Sequence, residues 1–208
     1  MSKIDEVKAG VAAGKTKVVP GLVQEALNEG QAATAILEAM VEAMGVVGDK
    51  FSSGEIFVPE MLVAGKAMQK GVEVLKPVLA GEGSVSLGKC IIGTVAGDLH
   101  DIGKNLVALM IGSAGFDVID LGVDVTKEKF IETIKANPDV KVVACSALLT
   151  TTMPAMKETV EAIKASGLTG FKVLVGGAPI TPEFASSIGA DAYARDAGGA
   201  AVKAKELV

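Results

Sequence analysis

The chain of 208 residues reads as an α/β protein: an N-terminal four-helix bundle followed by a flavodoxin/Rossmann-like five-stranded parallel sheet with helices on both faces. Three observations predict this. Apolar residues recur at spacings of three and four through the first ~80 residues. Pro77 and the stretch from Gly81 to Gly88 then break the pattern. Beyond Lys89, short apolar runs alternate with helical ones, the signature of parallel strands joined by crossover helices.

In chain order, Lys3–Ala12 is a short first helix, and Val19, Leu22, Val23, Ala26 and Leu27 signal a second. Leu37, Met40, Met44, Val47 and Phe51 mark a third, and Met61, Met68, Val72, Leu75 and Leu79 a fourth. Asn28-Glu-Gly30 and Ser52-Ser-Gly54 supply the breaks, while Pro59 is tolerable only in a helix's first turn. Such helices with short loops close a small bundle. Between Lys76 and Lys89, Pro77 and Gly81-Glu-Gly-Ser-Val-Ser-Leu-Gly88 have the composition of a linker. The boundary set there gives a bundle over 1–83 and an α/β domain over 84–208, with Gly81–Gly88 as the hinge candidate. Strands follow at Lys89–Val95, Asp117–Leu121, Val140–Ser146, Lys172–Val175 and Ala192–Ala194. Helices are expected after His100, from Lys127, around Met156–Ala165 and finally to Leu207. Five strands in this rhythm fit the order 2-1-3-4-5, whose crevice opens between the ends of strands 1 and 3.

Composition narrows the function. Aromatic residues are only 3% and Trp is absent, which argues against stacking on single-stranded nucleic acid. A net charge of −5 offers no basic footprint for nucleic acid or an anionic membrane. No apolar stretch reaches the ~18 residues of a membrane span, and the start lacks a signal-peptide pattern, so a cytoplasmic protein is expected. Cys90 and Cys145 lie inside strand-like runs, as buried reduced thiols do.

The chemistry-bearing stretch is Val95-Ala-Gly-Asp-Leu-His-Asp-Ile-Gly-Lys-Asn105, which holds the chain's one histidine. It sits on a loop at the carboxyl end of strand 1, where open α/β sheets keep their ligands. Asp98, two residues before His100, is placed to accept its ring proton and so decide which nitrogen faces outward. The same topology brings Ser146-Ala-Leu-Leu-Thr-Thr-Thr152 after strand 3 to the crevice, joined by Gly176-Gly177 and Arg195-Asp196. Phosphate-loop readings fail: five residues separate Gly97 from Gly103, and Asn105 follows Lys104 where a Walker motif needs Ser or Thr. No Gly-x-Gly-x-x-Gly opens the first α/β helix, Ser146 stands where a phosphoacceptor carboxylate would, and one histidine without paired thiolates is poor zinc chemistry. Ordinary structural readings stand beside the functional ones. Thr150–Thr152 suits a cap for the helix through Met156, with Thr152 accepting from backbone amides. Gly176-Gly177 suits a tight turn, and Phe51 and Val58 suit simple core.

Asp98-Leu-His100-Asp101-Ile-Gly103, Ser146-Ala-Leu148 and Gly176-Gly177 resemble the cobalamin-binding domains of corrinoid-dependent methyltransferases. Gly48-Asp-Lys-Phe51-Ser-Ser-Gly54-Glu-Ile-Phe57-Val58-Pro59-Glu60 resembles their methyl-cap bundle, so the resemblance covers essentially the whole chain. The two modules look like the corrinoid protein of three-component systems that demethylate methylamines, methanol, betaines or aryl methyl ethers. The resemblance implies cobalamin or a related corrinoid, bound base-off/His-on, with His100 as lower axial ligand to cobalt. It implies that Asp98 hydrogen-bonds His100 and that Thr152 ends the relay where the family carries Ser, keeping the hydroxyl and adding a methyl. Asp101 falls within the matched motif. Gly103, Ser146, Leu148, Thr150, Gly176 and Gly177 match positions lining a slot for the displaced nucleotide tail. Phe51 and Val58 match positions over the methyl-bearing face. The implied function is a methyl carrier that does not turn over alone. It accepts a methyl group on cobalt from a substrate-specific methyltransferase and passes it to a second methyltransferase, with an acceptor such as tetrahydrofolate. A reductive activator of the corrinoid is a further implied partner.

Two other readings compete. A cobalamin-dependent sensor would use the same modules, but no basic DNA-reading helix is present as an output. A flavodoxin-like domain for another small molecule would stay colourless after reconstitution.

Overall fold

The computed structural model describes residues 2–82 and 86–208, so part of the hinge candidate, residues 83–85, lies outside the described residues. The chain forms two compact units, Met1–Ser86 with Ser113–Gly115 and Leu87–Gly112 with Phe116–Val208. Among the described residues no helix is long and apolar enough to cross a membrane.

The first unit is a bundle of α1 (Lys3–Ala12), α2 (Val19–Asn28), α3 (Ala33–Ser53) and α4 (Val58–Glu82). Its helix ends follow local chemistry. Ser2 and Asp5 form a reciprocal capping box on α1. Gly54, at φ 79°, closes α3 in the left-handed conformation that costs a glycine least. Glu60 then reaches back to the Phe57 N–H at 2.9 Å to start α4, which accommodates Pro59 in its first turn. The buried stripe of α3 runs through Ile36, Met40, Met44 and Val47, while Leu37 and Phe51, expected in the stripe, are only partly buried. Met61, Met68 and Leu75 complete the core from α4 as expected. α4 carries the expected Leu79 and runs on through Pro77 to Glu82, into the start of the stretch read as linker. The carbonyl that loses its partner to Pro77 is that of Glu73, and both residues are exposed, so water can serve it.

The second unit carries a parallel sheet in the order β2-β1-β3-β4-β5, as expected. Its strands are β1 (Lys89–Thr94), β2 (Asp117–Asp120), β3 (Val140–Ser146), β4 (Lys172–Gly176) and β5 (Ala192–Ala194). The helices are α5 (Ile102–Ser113), α6 (Lys127–Ala136), α7 (Met153–Ala165), α8 (Pro182–Ser187) and α9 (Ala197–Glu206). The short α8 had no counterpart in the sequence reading; Thr181 caps it by accepting from the Phe184 N–H, and Pro182 opens it. Ile91, Val143, Cys145, Val173 and Val175 pack with Phe130 and Ile134 of α6 and Met156, Val160 and Ile163 of α7. Cys90 and Cys145 are buried and unpaired, and burial pushes both thiols up to about 12.

Register fixes what the sheet presents at its carboxyl edge. Thr94 pairs with Ser146, Ser146 with Gly176, and Gly176 with Ala194, so four loops leave the sheet along one row. The loops after β3 and β4 touch through backbone: a Cβ at Gly177, whose φ is 133°, would collide with the carbonyl oxygen of Ala147. Gly177→Ala should therefore lower unfolding stability by at least ~2 kcal/mol, combining backbone strain with a clash that has no flexible partner to yield. Urea denaturation measures this, and a loss below ~0.5 kcal/mol would show that the two loops need not approach so closely.

Candidate functional site

Asp98 is where the edge row becomes a site. After Thr94 the chain turns through Gly97, at φ 79°, and the Asp98 N–H bonds the Val95 carbonyl at 3.1 Å. The turn drives the Asp98 carboxylate into the protein, where the residue is fully buried. Each of its oxygens accepts two hydrogen bonds. Oδ1 takes His100 Nδ1 at 2.7 Å and the His100 backbone N–H at 3.1 Å. Oδ2 takes the Leu148 N–H at 2.7 Å and the Thr152 hydroxyl at 2.7 Å. Burial by itself would raise the Asp98 pKa. The Leu148 amide, the Thr152 hydroxyl and the two His100 donors overcome that and hold the carboxyl well below the usual carboxylate range.

An ionised carboxylate can only accept, so His100 Nδ1 must donate, and in the neutral ring Nε2 is left with its lone pair free. The side chain is 49% exposed, so that nitrogen has access to a ligand. The buried hydroxyl of Thr94 bonds the His100 carbonyl at 2.9 Å and fixes the backbone beneath the ring. Around it stand exposed apolar side chains, Leu99 at 71% and Ile102 at 74%, with Leu148 and Leu149 on the β3 loop also exposed. Large apolar residues left in solvent on two adjoining loops are informative in a way that a single exposed leucine is not.

The arrangement decides what kind of metal fits. Among the described residues no group of three His, Cys, Asp or Glu side chains is able to hold a metal ion. One imidazole with a carboxylate behind it suits a metal that arrives with its other ligands, as in a macrocycle seated on an apolar rim. The residues present therefore fit a corrinoid.

The structure brings Asp98, His100, Leu148 and Thr152 together. Thr152 does not act as the expected helix cap: its hydroxyl makes no cap bond to α7 and donates toward Asp98, with the Leu149 carbonyl 3.0 Å away. Ser146 ends β3, where its carbonyl receives the Val95 N–H. Thr150 is exposed in the 3₁₀ turn that leads into α7. Asp101 turns its carboxylate to Asn105 Nδ2 at 3.1 Å, one turn along α5. Gly176 and Gly177 have reasons within the chain, since a Cβ on Gly176 would lie 2.8 Å from the Ala194 carbonyl oxygen. Gly103 has none: a Cβ there would meet nothing within 4 Å. Of the loop after β5, Asp196 accepts from the Gly199 N–H as the cap of α9, and Arg195 is exposed. Phe51 and Val58 lie in the first unit, both partly buried at the α3–α4 connection. Sequence reasoning missed Thr94, whose signal is a hydroxyl at the end of an apolar strand, and Asp124, whose carboxylate accepts the Gly97 N–H at 2.7 Å.

The Asp98 carboxylate also sets a pH dependence. Its folded pKa lies below the unfolded value of about 3.9, so its stabilisation is complete above that value and is lost as pH falls further. Asp98→Asn should be less stable than the parent by about 2 kcal/mol at neutral pH, and the gap should narrow toward pH ~3. Urea titrations of both proteins across this range check the sign, and a gap that widens in acid would contradict it.

Comparison with known proteins agrees with the geometry. Residues 88–204 match one family model described as a B12 binding domain, and residues 3–76 match a second with the same description. The chain is 40% identical to dimethylamine corrinoid protein 1 of Methanosarcina acetivorans over 99% of its own length and 97% of the relative's. A solved cobalamin-binding protein from Desulfitobacterium hafniense superposes with a TM-score of 0.84 at 30% identity, covering 99% of this chain and 98% of that one. A chain of the methanol:cobalamin methyltransferase complex from Methanosarcina barkeri does so with a TM-score of 0.83 at 27% identity, covering 99% and 79%. With its α/β half built around Asp98 and His100 and both halves matched, the chain belongs to the family of B12-binding corrinoid proteins.

Proposed function

We propose that the protein is a cytoplasmic methyl carrier that takes a methyl group from a substrate-specific methyltransferase, delivers it through a second methyltransferase, and does not turn over alone. The observation that carries this reading is the single histidine, with Nδ1 held by a buried carboxylate and Nε2 free among exposed apolar side chains. The dimethylamine relative favours a methylated amine as the source of the methyl group. A reductive activator of the corrinoid is the third partner.

When bound, a corrinoid would supply a cobalt able to accept a methyl group and give it up again, with this chain's residues holding and orienting the cofactor. His100 Nε2 would be the protein ligand, and Asp98 orients the ring through Nδ1. With Nδ1 committed to Asp98, Nε2 would be the ring atom left to hold the metal. The Leu148 N–H and the Thr152 hydroxyl keep the carboxylate in place behind the ring. The open space at Gly103 is part of a slot for the displaced nucleotide tail, with Ser146, Leu148, Thr150, Gly176 and Gly177 along it.

Hydroxocobalamin mixed with the apoprotein should give a bound complex whose absorption shows loss of the benzimidazole ligand. His100→Ala should lose the imidazole-ligated spectrum, and an unchanged axial-ligand signature would remove His100 from the role. Gly103→Ala separates the slot from the fold. It should leave apoprotein stability unchanged or raise it by about 0.5–1 kcal/mol, because alanine is the better helix former and meets nothing in the chain. The same variant should bind hydroxocobalamin at least ~10-fold more weakly, since a methyl group then intrudes where the tail enters. Parental affinity in Gly103→Ala would place the slot elsewhere.

A further inference from the structure

We propose that Asp124, on the loop between β2 and α6, is a positioning residue for His100. It grips the Gly97–Asp98 backbone at two points and so aims the Asp98 carboxylate at the imidazole. This rests on the corrinoid reading only for its functional consequence; the geometry stands without it.

Asp124 is the one non-glycine residue at positive φ among the described residues, at 53°. In that conformation its backbone and side chain face the same neighbour. The Asp124 N–H donates to the Asp98 carbonyl at 3.0 Å, and its Oδ1 accepts the Gly97 N–H at 2.7 Å. The loop that carries it is itself anchored. Val125 is buried, bridges Val95 in parallel register and donates its N–H to the Thr94 carbonyl at 2.9 Å. The Thr94 N–H donates to the Gly122 carbonyl at 3.0 Å. Asp120 accepts the Gly122 N–H on one oxygen and, on the other, the ammonium of Lys104, which is only 2% exposed in the first turns of α5. The loop after β2 is thereby tied to the end of β1 and to the start of α5, on either side of the His100 loop.

Gly97 is the point where that loop has conformational freedom to lose, since its backbone lies at φ 79° and it has no side chain to wedge it. Nothing in the Asp98 carboxylate's own bonds fixes the Gly97 amide; Asp124 does. Because Asp124 and Gly97 are both exposed, water can replace a lost acceptor, and the fold should tolerate the loss. The direction of the Asp98 side chain should not. This separates positioning from stability.

A single histidine makes the test direct, because ¹⁵N-labelled apoprotein gives one set of ring signals. At alkaline pH the parent should show the Nδ1–H tautomer as its main form. Asp124→Asn keeps an acceptor oxygen and tolerates the left-handed backbone, so it should retain that tautomer. Asp124→Gly removes the acceptor without strain, and Asp124→Ser shortens its reach by one bond. Both should lose the Nδ1–H form as the main species and retain hydroxocobalamin about 10-fold less tightly, with a smaller loss of stability than Asp98→Asn. A parental tautomer in both Asp124→Gly and Asp124→Ser overturns the proposal, as does Asp124→Asn behaving like Asp124→Gly. If the parent itself does not bind hydroxocobalamin, the carrier reading fails while the tautomer comparison still decides the role of Asp124.

Discussion

The second unit is organised around one buried charge. The Asp98 carboxylate is fully enclosed, and each oxygen accepts two donors, so no lone pair is left to an unspecified partner. A charge in that position is tolerated only while every donor stays in place. The donors come from two stretches far apart in sequence, its own loop after β1 and the Leu148–Thr152 stretch after β3. They meet because the order β2-β1-β3-β4-β5 makes β1 and β3 neighbours and sends their loops to the same crevice. The carboxylate therefore staples the switch point of the sheet and in the same act selects the tautomer of His100. Sheet topology and ligand chemistry are one constraint seen at two scales.

Much of this was legible in the sequence because it depends on signals that act locally. The strand–helix rhythm dictates a parallel sheet and its order, and a lone histidine two residues after an aspartate at a strand's end already places a donor beside an acceptor. What remained open was open for physical reasons. Thr152 offers one hydroxyl that suits a helix cap and a carboxylate partner equally, and only the turn of the chain through Thr150–Thr152 decides that it donates to Asp98. Glycines carry the same ambiguity. Gly177 is required by a carbonyl of its own chain and Gly103 by nothing in it, yet no sequence pattern separates the two. Pro77 reads as a stop, but an exposed carbonyl one turn back lets α4 continue. Asp124 was invisible because it works on backbone atoms 27 positions away, while its own side chain reads as an ordinary charge in a loop.

The fate of the sulfur atoms completes the logic of the single imidazole. Thiolate is the other side-chain ligand a transition metal could draw on, and this chain has two cysteines. Both lie within the sheet, Cys90 in β1 and Cys145 in β3, and burial holds each thiol near 12, so neither presents a thiolate to a ligand. Cys145 is separated from the crevice by only Ser146 and Ala147, but the alternation of β3 turns it into the core with Val143 and Val175. The edge thus presents one ring nitrogen, its tautomer set from behind by a carboxylate. An imidazole oriented by that carboxylate offers a neutral lone pair at Nε2, which the two buried thiols cannot present at the crevice.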